Sequence, residues 1–320
     1  MKQMKQTKQE TNDHENSKEA RQAFPVLSGL RLWIADGSLV ACAALWGLGF
    51  VAMKDALVVY TTCWLLFFRF GGGALLTGVC FFRSIAGATQ RDLRGGLVIG
   101  IFLFLGMSLQ TWGLNYTTAG KQAFLTASYV MMVPLLLWGL RRAFPGWVVI
   151  LGALICFAGM GLLTSDIVEP LNEGDVLTVI SAVFFALQII ATGHYAAKGN
   201  PLVLTFVQFA VVAFLSFYSA LLFEGPLELQ GSRGLLEIVY VTVFCTFLCF
   251  LIQNVAQKIT SPAHASILLG LESVFGALGG VLLLNEAFSL RMGVGCSLIF
   301  GAVLLIELAP LIFPEPLLVE

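Results

Sequence analysis

Glu272 stands about ten residues into the apolar run 262–284. At 1.5 Å per helical residue that is roughly 15 Å deep, near the middle of a bilayer core about 30 Å thick. A carboxylate there is costly, and such groups face a cavity, a partner or a substrate. Burial favours the neutral acid, which suits a proton carrier; a structural acid bonded to a neighbouring helix is the alternative. Gly276 and Gly280 follow at i+4 and i+8, leaving room for close approach on the same face. Arg69 is the other charge inside a run, roughly 12 Å from its outer edge, with Gly72 and Gly73 on its face. Its guanidinium stays charged, so three roles are open: it holds a substrate carboxylate, pairs with Glu272, or snorkels outward.

A polar and aromatic set within the apolar runs could line a cavity: Trp46, Gln110, Trp112, Asn115, Tyr116, Tyr129, Gln188, Gln208, Gln253, Asn254 and Gln257. Amides and phenols offer donors and acceptors without the cost of charge, which suits polar neutral or zwitterionic solutes. The same amides serve as interhelical glue, and Trp112 and Tyr116 as interface anchors. Trp46, Gly49, Phe50 and Met53 share one helical face, either cavity wall or packing. His194 and His264 fall near the inner ends of two runs, as hydrated imidazoles or a proton relay. Pro134 predicts a kink in its run. The seven cysteines include Cys245 and Cys249 four apart, but no CxxC and no histidine at ligand spacing, so they are expected to pack, with no disulfide, metal or cofactor.

The elements that must hold these residues follow from composition. The chain is 58% hydrophobic and 12% charged, with mean hydropathy +0.88, against about 25% charged in soluble domains. Net charge is −1, which leaves no basic field for nucleic acid. Residues 1–30 are polar and expected to form a disordered cytoplasmic tail without a signal peptide; 314–320 form a short C-terminal tail. Between them lie ten apolar runs, at about 35–53, 61–82, 95–115, 121–140, 146–164, 175–197, 201–223, 234–255, 262–284 and 290–312. Backbone in lipid must pair internally, so the fold class is an all-α integral membrane protein of ten transmembrane helices.

Thirteen of the lysines and arginines flank one side and four the other, which places both termini in the cytoplasm. The acidic break at Asp166, Glu169, Glu173 and Asp175 divides the chain into five-helix halves, 31–165 and 166–313. An odd number of spans per half makes the second half an inverted repeat. An offset of 139 sets Ala43, Leu48 and Ala52 over Ala182, Leu187 and Ala191; an offset of 142 sets Thr118 over Thr260.

Five strings resemble the EamA-type ten-helix transporters of the drug/metabolite transporter superfamily: ALWGLGFVAMK (44–54), the Arg-Phe of LLFFRFGGGALL (65–76), GLNYTTAGKQAFLTASYVMMVPLL (113–136), QKITSPAHASILLGLESVFGALGG (257–280) and LLLNEAFSLRMGVGCSLIFGAVLL (282–305). The resemblance implies two inverted five-helix repeats that move small organic solutes, often outward, by alternating access. The chain departs from the family pattern at Asn285-Glu286 (elsewhere Gly-Glu), at Arg141-Arg142-Ala143, which lacks an acid, and at Glu272-Ser273 (elsewhere Glu-Pro), which implies loss of a proline kink.

The expected function is therefore a secondary transporter in the plasma membrane, a bacterial inner membrane, exporting amino acids or related metabolites either coupled to protons or running downhill. The partners are solute, protons and lipid, and no oligomer is required. No P-loop, GxSxG, HExxH or paired-aspartate motif is present, so no enzyme is expected. The alternative is a non-transporting polytopic protein, a receptor or assembly factor.

Overall fold

The structure, a computed structural model, describes residues 31–141, 144–164, 172–227, 234–283 and 289–312. The tails and the Asn285-Glu286 motif lie outside these residues. Regular structure within them is helical: α1 (Arg31–Ala56), α2 (Thr62–Cys80), α3 (Gln90–Gly113), α4 in two pieces (Ala119–Ala127 and Tyr129–Arg141), α5 (Trp147–Thr164), α6 (Glu173–Ala196), α7 (Pro201–Phe223), α8 (Leu235–Ala256), α9 in two pieces (Pro262–Leu269 and Glu272–Leu283) and α10 (Leu290–Ile312). Seven of these, α1 to α4 and α6 to α8, are long and apolar enough to cross a membrane; α5 and α10 carry shorter apolar stretches, and α9 is interrupted.

Polar residues at the breaks start the helices. Thr89 and Asp92 close a capping box on α3, and Asn172 and Asp175 do the same on α6, each satisfying two amides that helix geometry leaves open. Asn200 and Ser261 cap α7 and α9 with a proline just inside, where a missing N–H costs nothing.

The helices pack most broadly as α5 on α10, α3 on α6 and α2 on α7. Two crossings depend on absent side chains. A β-carbon at Gly174 would lie 2.5 Å from the Gly113 carbonyl oxygen, and one at Gly47 would lie 2.5 Å from the carbonyl oxygen of Glu272. The main apolar core runs along the middle of the bundle, while Trp33, Ile34, Leu75, Val79, Phe214 and Leu236 are exposed on its outside, as a surface solvated by lipid requires.

Three features go beyond the sequence expectations. α4 is interrupted at Ser128, whose hydroxyl donates to the Leu125 carbonyl (2.7 Å) and competes with the helix ladder; its second piece includes Pro134 and runs to Arg141. In α9 a break persists without proline: Leu271 and Ser273 bond only three residues back, to Leu268 and Gly270. The caps Thr118 and Ser261 also set the register of the second offset at 143 rather than 142. A further feature has no sequence precedent, a π-helical stretch at Val241–Leu248 inside α8.

Candidate functional site

A pocket opens among α1, α2, α3, α4, α6, α8 and α9, between helices of a bundle, where small-molecule sites are commonly built. Of the residues singled out from the sequence, Glu272, Arg69, Trp46, Gln110, Tyr129, Gln188 and Gln253 line it, as do Gly49, Phe50 and Met53 from the same face of α1. Asn115, Tyr116 and Asn254 do not. Asn115 is exposed and bonds the Thr111 and Trp112 carbonyls at the end of α3. Tyr116 is exposed and its carbonyl accepts from Asn172. Asn254 is buried and donates to Thr205 on α7 (2.7 Å), as interhelical glue.

Both helix interruptions deliver a residue to this cavity. Tyr129 opens the second piece of α4 and Glu272 the second piece of α9, so two half-helix N-termini, with their positive dipole ends, border it. Glu272 is buried, with the Tyr129 hydroxyl beside its carboxyl. The hydroxyl and the carboxyl are each other's nearest polar partners, while Thr111 Oγ1 and Gln253 Oε1 on the same wall have no hydrogen-bond partner among the described residues and remain open to a solute or water.

Arg69 reaches the cavity from α2. The π-helical stretch receives it: Nε donates to the Thr246 hydroxyl, which donates to the Val241 carbonyl (2.8 Å), five residues back. Gly72 and Gly73 face the Thr242 and Thr246 methyls and let the helices close. One terminal nitrogen meets the sulfurs of Met53 (3.4 Å) and Met107 (3.8 Å), and the guanidinium lies over Phe70. No carboxylate among the described residues is within 4 Å of it, and the side chain is 4% exposed. In this structure Arg69 therefore neither pairs with Glu272 nor snorkels outward. Trp46 donates to the Cys245 carbonyl (2.7 Å), Gln110 to the Thr126 hydroxyl (3.0 Å) and Gln188 to the Thr192 hydroxyl (3.1 Å). Cys245 and Cys249 contact the carbonyls of Leu45 and Cys42 on α1, and so pack α8 against it.

The lining that single residues did not reveal is paired between the two halves. Trp46, Gly49 and Phe50 correspond to Phe185, Gln188 and Ile189 at the offset of 139; Met107, Gln110, Thr126 and Tyr129 correspond to Phe250, Gln253, Leu269 and Glu272 at 143. Carrying the α1 stripe forward by 139 residues would have found the α6 wall.

Residues 33–165 and, again, 172–308 match the EamA-like transporter family. The chain belongs to that family. It is accordingly a multi-pass membrane protein of transporter type, built from two EamA repeats. It is 30% identical over 280 residues to an uncharacterized transporter of Archaeoglobus fulgidus, with 88% of each chain covered. A protein of known crystal structure shares the fold at a TM-score of 0.72 and 17% identity, over 86% of this chain and 96% of that one.

Away from the cavity, EamA helices α4 and α6 are joined by a buried ion pair, Lys121 Nζ to Asp175 Oδ2 at 2.6 Å, with Thr117 donating to Asp175 Oδ1 (2.9 Å). Removing one partner of a buried pair leaves the other uncompensated, so Lys121→Met should destabilise the protein by about 3 kcal/mol. Asp175→Asn combined with it should recover part of that loss, measured as a double-mutant cycle of unfolding in detergent.

Proposed function

We propose that the chain is a secondary transporter that exports amino acids or closely related zwitterions by alternating access, in exchange for protons. The observation that carries this is the joint presence of Arg69 and Glu272 in one cavity without an ion pair between them. A fixed cation and a separate acid in one low-dielectric site match a solute that bears both charges. Arg69 takes the carboxylate through its fork of donors. Glu272 takes the ammonium or, when the solute leaves, a proton, since an isolated buried carboxylate is costly. Aromatic and methionine side chains around them, Trp46, Phe185, Phe250, Met53 and Met107, suit an apolar side chain on the solute.

Exchange at one acid links solute efflux to proton entry, so an inward proton gradient drives export. The architecture of this proposal is ten membrane-crossing helices in two inverted repeats, with both termini cytoplasmic in a plasma membrane. It is supported by the seven cross-repeat pairs in the cavity wall and by the excess of cations on the flanks assigned to the cytoplasm. The test is reconstitution into liposomes with a panel of labelled amino acids and their decarboxylated amines, with and without a pH gradient. Wild type should move amino acids faster with the gradient, and Glu272→Gln should abolish the gradient's effect. Unchanged coupling in Glu272→Gln would remove that acid from the mechanism.

A further inference from the structure

A second charged cluster lies outside the cavity, where α9 meets α1. His264 Nε2 is 3.4 Å from Asp36 Oδ1, and the Thr260 hydroxyl is 3.4 Å from the same oxygen. Asp36 and Thr260 are each 4% exposed. The constellation repeats the one joining α4 to α6. Thr117, the cap Thr118 and Lys121 have the spacing of Thr260, the cap Ser261 and His264, and in each case the acid sits in the first turns of the partner helix, Asp175 on α6 or Asp36 on α1.

The two clusters bracket the cavity. Asp36 lies near the start of α1, and Lys54 near its end donates to the carbonyls of Leu114 and Thr117, so the Lys121 cluster stands at the far end of α1. Eighteen residues of helix separate Asp36 from Lys54, about 27 Å, and Trp46, Gly49, Phe50 and Met53 line the cavity between them.

One chemical difference separates the two ends. A lysine ammonium holds its proton across the physiological range, whereas an imidazole gains and loses one near neutrality. We propose that the Asp36–His264 pair is a proton-binding site that fastens its end of the cavity when the imidazole is charged and releases it when neutral, while the Lys121–Asp175 pair holds the opposite end independently of pH. The proton resides on His264 Nε2, and its departure removes the ion pair to Asp36. The imidazole has a route to water, with 15% of its side chain exposed. Among the described residues the other ionisable groups at this end are Arg31 on α1, Arg83 just after α2, Arg91, Asp92 and Arg94 on α3, His194, Tyr195 and Lys198 on and after α6, and Lys258 before α9; Asp92 accepts from Thr89 and the Asn200 amide. This site deepens the transport reading and rests on it for its purpose, because fastening one end matters only if the cavity opens alternately.

Hydrogen exchange on the full chain in lipid nanodiscs tests the proposal without any solute. After correction for intrinsic rates, segments 31–42 and 258–270 should exchange at least about fivefold faster at about pH 8.5 than at about pH 5.5, while 115–123 and 172–180 should not respond. His264→Lys, with a fixed charge, should be slow at both values; His264→Gln and Asp36→Asn should be fast at both. Glu272→Gln should keep the wild-type response, which separates this site from the cavity acid. Absence of the response in wild type, or its survival in His264→Gln and His264→Lys, would overturn the proposal. A chain that responds in this way but moves no amino acid in liposomes would fail the transport reading instead.

Discussion

Arg69→Met should abolish high-affinity binding of carboxylate-bearing solutes and, in the absence of solute, leave the protein as stable as wild type or more so. The guanidinium is 4% exposed, with a hydroxyl, two thioethers and an aromatic face around it but no carboxylate within reach. A buried charge without a counter-ion costs stability, and a neutral methionine, which ends near the position of Nε, removes that cost while leaving Met53 and Met107 in place. When solute binds, the same charge acquires its partner; truncating one member of a desolvated charge pair costs about 2–5 kcal/mol, roughly 30-fold to several thousand-fold in affinity. Equilibrium binding in nanodiscs with matched amino acids and decarboxylated amines reads this directly. Amino acid affinity should collapse while amine affinity stays within a few-fold. Equal losses for both would mean that Arg69 supports the cavity rather than reading the carboxylate, and Arg69→Lys binding at wild-type strength would eliminate two-pronged recognition. A gain in stability with a loss of binding is the signature of a residue kept for function at the expense of the fold.

Gly47→Ala should be nearly as damaging for a different reason. The added β-carbon would lie 2.5 Å from the Glu272 carbonyl oxygen and 2.7 Å from the Gly276 nitrogen, both backbone atoms that cannot rotate away. α1 and α9 must then separate at the point where Glu272 enters the cavity. Overpacking of this kind costs about 1–3 kcal/mol or more, and it displaces Trp46 and Glu272 together. Gly276→Ala is the matched control: its β-carbon comes no nearer than 3.5 Å to Gly47, so it should change stability by no more than about 0.5 kcal/mol. Thermal unfolding and solute binding, measured side by side, should fall for Gly47→Ala and hold for Gly276→Ala. If the two variants behave alike, the α1–α9 crossing is looser than this geometry requires.

Glu272 and Arg69 were legible because charge in an apolar run is rare and expensive, so its position alone marks it. The amides were legible only in part. Gln110, Gln188 and Gln253 border the cavity, while Asn254, on a helix equally apolar all round, turns to Thr205 instead. In such helices there is no polar face to orient a residue, so rotation is set by neighbours from distant parts of the chain. The helix interruptions were hidden for a related reason. Proline marks a lost hydrogen bond in the sequence, but the interruptions fell at Ser128 and at Gly270 and Leu271, where packing and side-chain hydroxyls decide.

What the chain's own order of residues determined was the membrane class, the helical runs, their capped ends and a duplicated plan, because hydropathy, capping and spacing are local properties of the backbone and its solvent. What only the tertiary structure decided was which residues meet: that Arg69 rests on a π-helical stretch of α8 rather than on Glu272, that Tyr129 and Glu272 stand at matching half-helix starts, and that Asp36 finds His264 while Asp175 finds Lys121. Those pairings join residues from far-apart stretches of the chain, and the crossing of whole helices, not any nearby pattern, brings them into contact.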